Sequence, residues 1–263
     1  MSAAKASAEA LTRLGQLDVP ACHILRSRKE VDGANELAAA IGLAPNPVPS
    51  KSWDNLLAVR VIEQLGTPVG AAVADLGCRS GILLTWLDQR GYRNLYGCDL
   101  RRPFPPLRAA LRLGLWRTLS AGVVTYLRHR SRLRTAPVED TGLPPGLFSV
   151  VTSMSVVEHG VDLRAFFAEA ARLLRPGGLL VVSTDYWPLP IDVGSLRRFS
   201  VSGGRDRVFD RAGVEELCGI ARDAGFVAPE NPDLDADEPV VTSAGFAYTF
   251  LLLTLLRLDE TRA

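Results

Sequence analysis

The sequence predicts an α/β fold in which a mostly parallel β-sheet is covered by helices. From residue 71 onward, short apolar runs alternate with helix-length segments, which is the pattern of parallel strands joined by crossover helices. The chain has 263 residues, of which 47% are hydrophobic and 22% charged, enough to bury the core of one such domain together with an appendage.

The first 50 residues differ in pattern from the rest of the chain. They are rich in alanine at helical spacing, and three prolines within residues 45–49 end any helix there. We therefore expect a helical N-terminal appendage at 1–50 and the main domain at 51–263. Ser52 can cap a first helix of that domain, from Trp53 to about Leu65.

The elements of the main domain follow in order. Strands are expected at Val73–Leu76, Asn94–Cys98, Phe148–Met154 and Leu179–Thr184, with helices at 81–90, 162–174 and 212–224. The motif RPGG at 175–178 is expected to separate a helix from the strand after it. Phe226–Val227 and Phe246–Leu258 are expected to close the sheet as a hairpin.

The charge is balanced over the whole chain but not locally. The net charge is +1, so no global field would recruit nucleic acid or an anionic membrane, and we expect neither as a partner. Nine arginines and no acidic residue lie between Asp99 and Glu139. Residues 107–117 suit a helix, and 128–134 would place four arginines on one side if extended. An exposed charged edge and a groove for an anionic substrate both remain open.

The cysteines and apolar segments favour a cytoplasmic protein. Cys22, Cys78, Cys98 and Cys218 form no CxxC pair, so neither a zinc site nor a disulfide framework is indicated. The N-terminus lacks the compact apolar segment of a secretory signal. The longest apolar run, residues 246–256, is too short to span a bilayer.

The most informative motif is VADLGCRSG, residues 73–81. A short apolar run ends in Asp75, and a turn containing Gly77 and Gly81 leads into a helix. Glycine lets the backbone pass close to a ligand, and the helix begins with unpaired N–H groups. A carboxylate at this turn would repel a pyrophosphate but can accept hydrogen bonds from an ammonium group, such as that of S-adenosylmethionine. The motif therefore favours a nucleoside with a cationic tail.

Four motifs in order resemble those of the class I S-adenosylmethionine-dependent methyltransferases. They are VADLGCRSG, LYGCDL, FSVVTSMSVVEHG and LLRPGGLLVVSTDYW, and the resemblance covers about residues 52–258. It is closest to bacterial stand-alone methyltransferases of small molecules and sugars. The resemblance implies a Rossmann-like, seven-stranded, mostly parallel sheet with helices on both faces and an antiparallel last strand. It also implies S-adenosyl-L-methionine as cofactor and a small-molecule substrate.

The resemblance assigns roles to individual residues of the cofactor site. Asp99, 24 residues after Asp75 at the end of the next strand, would bind both ribose hydroxyls. Glu139, or Asp140 beside it, would accept a hydrogen bond from adenine. The predicted cofactor site comprises Asp75, Gly77, Cys78, Arg79, Gly81, Asp99, Leu100, Glu139, Asp140, Ser153 and Met154. Arg79 stands where the family usually has a third glycine, so the turn must use ordinary backbone angles there.

Candidates for catalysis and substrate binding follow the later strands. His159 suits a proton acceptor because its ordinary pKa is near neutral, although the pair Glu158–His159 could instead order its loop. His23 and His129 are expected at the surface. Asp185, Tyr186 and Trp187 are candidate substrate contacts, with packing of a lid as the alternative. No third ligand accompanies Glu158 and His159, so we expect no metal.

The preferred function is methyl transfer from S-adenosylmethionine to an oxygen of a sugar or secondary metabolite. Methylation of RNA or protein is an alternative that the arginine run favours. A binding scaffold without catalysis is another, favoured by Arg79, and an NAD-dependent oxidoreductase is a third. Fold does not fix function, so these alternatives stay open at the level of sequence.

Overall fold

The computed structural model describes residues 21–79, 81–101, 111–194 and 204–258. These residues form six α-helices and a nine-stranded sheet. The strands are β1 (Cys22–Ile24), β2 (Ala72–Leu76), β3 (Asn94–Asp99), β4 (Leu133–Thr135), β5 (Phe148–Met154), β6 (Leu174–Tyr186), β7 (Phe226–Val227), β8 (Val241–Ser243) and β9 (Phe246–Arg257). The helices are α1 (Arg28–Ala40), α2 (Ser52–Gln64), α3 (Ile82–Gln89), α4 (Trp116–His129), α5 (Leu163–Leu173) and α6 (Arg211–Asp223).

The sheet confirms the predicted fold class. Its order is β1-β9-β6-β5-β2-β3-β4, and β7 and β8 each pair with β9. The five neighbouring strands β6, β5, β2, β3 and β4 are parallel to one another, and β9 runs antiparallel to β6. The expected seven strands are present, and β1 and β8 are additional. Because β2, β3 and β5 are parallel neighbours, their carboxyl ends meet at one edge, where open α/β sheets bind ligands.

Local sequence explains why the elements form where they do. All five residues of β2 are buried, as expected for a parallel strand covered on both faces. The core consists of two apolar clusters that contain alternate residues of β2. Two helices begin at aspartate caps, since Asp162 accepts from the N–H of Ala165 (3.1 Å) and Asp210 from that of Gly213 (2.8 Å). The predicted bounds of these helices are therefore nearly correct.

The RPGG motif does not separate a helix from a strand. The last residue of α5 is Leu173, and β6 already begins at Leu174. The motif forms an irregularity within the ladder, because Phe148 pairs with Leu174 whereas Val150 pairs with Leu179. This irregularity accommodates the extra residues of β6, and parallel pairing with β5 resumes after it.

The arginine run differs from the prediction of an extended segment. Arg128 lies in α4, Arg130–Arg132 form a 3₁₀ turn, and the strand that follows has only three residues. The four arginines at 128–134 therefore do not share one side of a strand. Of the helix predicted at 107–117, residues 107–110 lie outside the described part of the chain. Gly114, with φ of 65°, separates residues 111–112 from α4.

The N-terminal segment adds a strand to the sheet. Residues 1–20 of the predicted appendage lie outside the described residues, and β1 pairs antiparallel with β9 through Cys22, His23 and Ile24. Helix α1 packs against α2 in the same core as the main domain. The prediction of a purely helical N-terminal segment is therefore wrong, because the segment contains β1. The domain boundary at residue 50 stays a prediction. In the described part of the chain, no helix is both long and apolar enough to cross a membrane.

Candidate functional site

Asp75 is a buried carboxyl group near the carboxyl end of β2, the strand between β3 and β5. It is 4% exposed, and its Oδ1 accepts a hydrogen bond from Thr152 Oγ1 at 2.8 Å, across the register pair of β2 and β5. Burial raises the pKa of Asp75 to about 7, and the nearby carboxylates of Asp99 and Asp54 add to this effect. A cation placed at this carboxyl group would be stabilised strongly, because the group lacks a charged partner of opposite sign in the described residues.

The turn after β2 is shaped by two glycines with positive φ. Gly77 has φ of 80° and Gly81 has φ of 63°, a region that L side chains rarely adopt. A Cβ at Gly77 would overlap a methyl group of Val156. The N–H groups of Gly77 and Cys78 both donate to Cys98 O, at 2.7 and 3.1 Å, which joins the turn to β3. Arg79 is not among the residues with positive φ, so the turn tolerates a side chain there, and that side chain is exposed.

Asp99 ends β3 and faces this turn. Its Oδ2 accepts from the N–H of Arg79 at 3.1 Å, and its Oδ1 accepts from the N–H of Arg101 at 2.8 Å. Burial raises the pKa of Asp99, and those two N–H donors partly oppose the shift. A carboxylate has about four lone-pair directions, so each oxygen can still accept a hydrogen bond from a ligand hydroxyl.

The remaining predicted cofactor residues differ in accessibility. Cys78 packs in the core, where a Cβ at Gly97 would lie 2.6 Å from its Sγ, so its main chain rather than its side chain is near the turn. Leu100 is 39% exposed at the rim and Met154 is half-buried. Ser153 is fully buried, and its Oγ lacks a hydrogen-bond partner in the described part of the chain.

The two adenine candidates lie in the loop between β4 and β5, and Glu139 contacts the start of α5. Glu139 is half-buried, and its Oε1 accepts from the N–H of Asp162 at 3.3 Å, while Asp140 is exposed. Glu139 therefore already has a role in fixing the entry to α5. Its contact with adenine stays a prediction.

His159 lies between two carboxyl groups. Its Nδ1 is 3.4 Å from Asp206 Oδ1, its Nε2 is 4.0 Å from Glu158 Oε1, and its side chain is 19% exposed. An isolated antiparallel backbone bridge brings His159 and Asp206 together. Glu158 is 1% exposed and accepts from Thr184 Oγ1 at 3.2 Å, and burial raises the pKa of its carboxyl well above the usual value, with Asp185 adding to the shift. No local pattern in the sequence indicates Asp206, which follows 47 residues later.

The candidate substrate residues at the end of β6 separate by face. The structure corrects the expectation that Tyr186 contacts the substrate, because its ring is fully buried and its hydroxyl donates to Leu234 O at 2.5 Å. It therefore supports the sheet and is not accessible to a substrate in this structure. Alternation along the strand places its neighbours differently: Asp185 is 7% exposed and Trp187 is half-buried.

A polar cluster that sequence reasoning did not assemble lies beside Asp75. Lys51 donates to Ser155 Oγ, lies 3.6 Å from Asp54 Oδ2, and covers the ring of Phe250 at 3.4 Å. Asp54 is fully buried and also accepts from Ser183 Oγ at 2.8 Å. Trp53, which precedes Asp54 in the chain, packs in the core. The motif WDN before β2 was the available signal, although its partners on β5 and β6 are far away in sequence.

Two further expectations concern histidines and metals. His129 is wrongly predicted as a surface residue: it is 1% exposed, and its Nε2 lies 3.0 Å from Asp88 Oδ1. His23 is partly exposed beside Glu30. Within the described ranges no three His, Cys, Asp or Glu side chains converge as metal ligands, and a metal-free site stays an expectation.

Part of this chain is similar to proteins of a known family. A family model described as a methyltransferase domain matches residues 74–182. Ubiquinone biosynthesis O-methyltransferase from Pseudomonas aeruginosa is 32% identical over 130 residues, which cover 49% of this chain and 51% of that protein. The protein of the same name from Cupriavidus pinatubonensis is 32% identical over 157 residues, covering 59% and 58%. The chain thus spans little more than half the length of these relatives.

Solved structures agree on the fold. A phosphoethanolamine N-methyltransferase from Haemonchus contortus, solved with phosphomonomethylethanolamine and S-adenosylhomocysteine, aligns with a TM-score of 0.53 at 14% identity, covering 87% of this chain and 58% of that one. At this identity the likeness concerns the fold alone. Residues 74–182 thus match a methyltransferase domain, and the chain resembles S-adenosylmethionine-dependent methyltransferases in sequence and fold.

Proposed function

We propose that this protein transfers a methyl group from S-adenosylmethionine to a hydroxyl group of a small molecule. One observation carries the proposal: Asp75 and Asp99 end neighbouring parallel strands on either side of a glycine turn. Two carboxylates at that spacing suit a ligand with hydroxyls at one end and a cation at the other. S-adenosylmethionine has both groups, whereas a dinucleotide would bring its pyrophosphate against the carboxylates.

The residues present fit this cofactor. Asp99 would accept from the ribose hydroxyls with the lone pairs that its two N–H donors leave available. Asp75 would pair with the cationic amino acid portion, and its raised pKa would then fall because a cation favours the charged carboxylate. Gly77 and Gly81 leave no Cβ at the two residues of the turn that have positive φ. When bound, the cofactor supplies an electrophilic methyl group on a sulfonium.

His159 would hold the proton that the acceptor hydroxyl loses. In the tautomer with hydrogen on Nδ1, toward Asp206, the Nε2 lone pair can accept a proton. The carboxylate of Asp206 would orient the imidazole and stabilise the imidazolium that forms. Its partly exposed position lets the ring face a substrate while most of it is shielded from water.

A small-molecule hydroxyl is the acceptor that we favour. The curated relatives are named O-methyltransferases of ubiquinone biosynthesis, and they support an oxygen acceptor on a small molecule. A sugar or a secondary metabolite remains our proposal for its class. We favour these over RNA or protein because the candidate proton acceptor is a recessed histidine within a loop, a position that suits a small ligand.

Transfer of a labelled methyl group tests the proposal. The protein would be incubated with methyl-labelled S-adenosylmethionine and separate panels of catechols, sugars, RNA and protein, with product detected by mass spectrometry. Label on a hydroxylated small molecule, lost in Asp99→Asn but retained in the control Asp32→Asn, which changes an exposed aspartate of α1, is the expected result. Label on RNA or protein would reassign the acceptor. Cofactor binding without transfer to any panel or to a cell extract would favour a scaffold.

A further inference from the structure

Helix α4 has its apolar side turned away from the protein. Its buried residues are Thr118, Gly122, Thr125 and His129, which recur at helical spacing. On the opposite side Trp116, Val124 and Leu127 are 66%, 50% and 57% exposed. A surface helix ordinarily buries its large apolar residues and exposes its polar ones. This helix does the reverse.

Polar contacts attach the inner side of α4. Thr118 Oγ1 donates to Pro45 O at 2.6 Å, Thr125 Oγ1 donates to Asp88 Oδ2 at 3.4 Å, and His129 Nε2 lies 3.0 Å from Asp88 Oδ1. Because these contacts hold the helix, its outward apolar side chains contribute little to the fold. That apolar face continues into the preceding segment, where Leu111 and Leu113 are 57% and 59% exposed.

Arginines surround this apolar face. Residues 100–138 contain nine arginines and no acidic residue. Of those described, Arg112, Arg117, Arg130 and Arg134 are exposed, and none has a carboxylate within ion-pairing distance among the described residues. Arg117 and Arg134 donate only to main-chain carbonyls in that part of the structure. The patch therefore has unneutralised positive charge next to exposed apolar side chains.

A cavity of about 440 Å³ opens on the same surface, between α3 and α4. It is lined by Asp88, Arg93, Arg117, Ser120, Val124 and Arg128, among others. The single carboxylate there is already paired, since Arg93 lies 3.1 Å from Asp88 Oδ1 and Arg128 binds Oδ2. The cavity thus combines arginine donors with a hydroxyl, groups that suit a phosphate.

We infer that α4 and the arginines around it form a surface that binds bilayers containing anionic lipids. Exposed Trp and Leu side chains would enter the boundary between headgroups and acyl chains, and the arginines would pair with lipid phosphates. The near-neutral net charge of the chain predicted no membrane partner. However, salt screens charges that lie more than a Debye length away, so attraction to a bilayer depends on the charge of the local surface rather than on the net charge of the chain. RNA is less suited, because among the described residues of this face Trp116 is a single exposed ring between Leu and Val side chains, whereas successive bases need several rings on which to stack.

Vesicle sedimentation with the full chain tests this inference. Association with phosphatidylcholine vesicles containing phosphatidylglycerol is expected to exceed association with pure phosphatidylcholine by about tenfold or more, and to weaken as salt is added. Leu127→Gln is expected to weaken it by about fivefold or more. Its matched control is Leu189→Gln, which changes a leucine that is 68% exposed elsewhere.

The charge contribution has its own matched pair. Arg130→Gln with Arg134→Gln is expected to weaken association by about tenfold or more, because each arginine near an anionic surface contributes about a fivefold factor. Arg175→Gln with Arg222→Gln removes two exposed arginines from other parts of the surface and is expected to change little. Tryptophan emission should shift to shorter wavelength on vesicle binding, and this shift should be lost in Trp116→Phe.

Three outcomes would overturn the inference. Equal association with both vesicle types would remove the electrostatic argument. Equal effects of the α4 variants and their controls would place any membrane contact elsewhere. Absence of vesicle binding together with self-association that Leu127→Gln abolishes would assign the face to a second copy of the chain. All variants keep the proposed cofactor residues, so the result is independent of methyl transfer.

Discussion

The buried carboxyl group of Asp75 would make both stability and cofactor binding depend on pH. Its pKa, raised to about 7 by burial, lies above the value of 3.8 for a free aspartate, so the folded protein favours the protonated form. This carboxyl group therefore contributes to stability at low pH, and the contribution is lost as pH rises through about 7. A cationic ligand has the opposite preference, since it binds the ionised form.

The pH dependence of cofactor binding follows from this sign. Below about pH 7 a proton competes with the ligand at Asp75, so the Kd for S-adenosylhomocysteine should rise by up to about tenfold per pH unit. Calorimetry between about pH 5.5 and about pH 8.5 measures it, because this range extends about 1.5 units to either side of the shifted pKa. Asp75→Asn should bind weakly at every pH and show little slope. A wild-type Kd that stays constant across the range would contradict this role.

His159 gives a prediction about turnover rather than binding. His159→Gln should leave the Kd for S-adenosylhomocysteine unchanged and lower kcat by about a hundredfold or more, because general-base catalysis contributes about that factor. Steady-state kinetics with the identified acceptor measures it, and His23→Gln, beside Glu30, is the control. Asp206→Asn should lower kcat less while altering the pH profile. Unchanged kcat in His159→Gln would require another base.

Single residues differ in how far the sequence could predict them. Asp75 and Asp99 were predictable because strand ends and a glycine turn have local signatures. The sequence could not predict that Thr152 contacts Asp75, because this contact depends on the register of the sheet. It also could not predict that Asp206 lies beside His159, because this contact depends on the path of a loop. Tyr186 failed for a related reason: alternation along a strand separates neighbours, and the sequence did not indicate which face it would occupy.

The turn between β2 and α3 leaves no space for a side chain at Gly77. Gly77→Ala would force a Cβ against Val156 at a residue with φ of 80°, so we expect it to cost about 2 kcal/mol or more and to weaken cofactor binding. Denaturant unfolding and calorimetry measure the two effects.

Gly33→Ala in α1 is the matched control. Nothing lies within 4 Å of its added Cβ, so this variant should be more stable by up to about 1 kcal/mol and bind normally. Gly77→Ala with wild-type stability and binding would show that the turn has more freedom than its backbone indicates.

Elements were predicted best where burial is continuous. Strands β2, β5 and β9 lie within one residue of expectation at either end because their apolar runs have clear limits. Strands β1 and β4 have three residues each, too short for a pattern, and pairing with longer neighbours stabilises them. For α4 the sequence showed arginines without acidic residues, but not that polar side chains would attach its inner face.

The whole molecule brings residues from distant parts of the chain to one edge of a parallel sheet. Lys51 and Asp54 precede the sheet's first parallel strand, yet they meet β5 and β6 beside Asp75. The order of strands was predictable from the alternation of elements and the family resemblance. The contacts across the cleft were not, because they arise only when the sheet closes.

Calorimetric titration with S-adenosylhomocysteine tests the central claim, that this edge binds S-adenosylmethionine through Asp75 and Asp99. The wild-type protein at concentrations of about tens of micromolar should give saturable heat with one site. Asp99→Asn should remove it, and the control Asp32→Asn, at an exposed aspartate of α1, should retain it. Absence of heat with the wild-type protein, or equal affinity in Asp99→Asn, would contradict the account, and heat with NADH instead would assign the site to a dinucleotide.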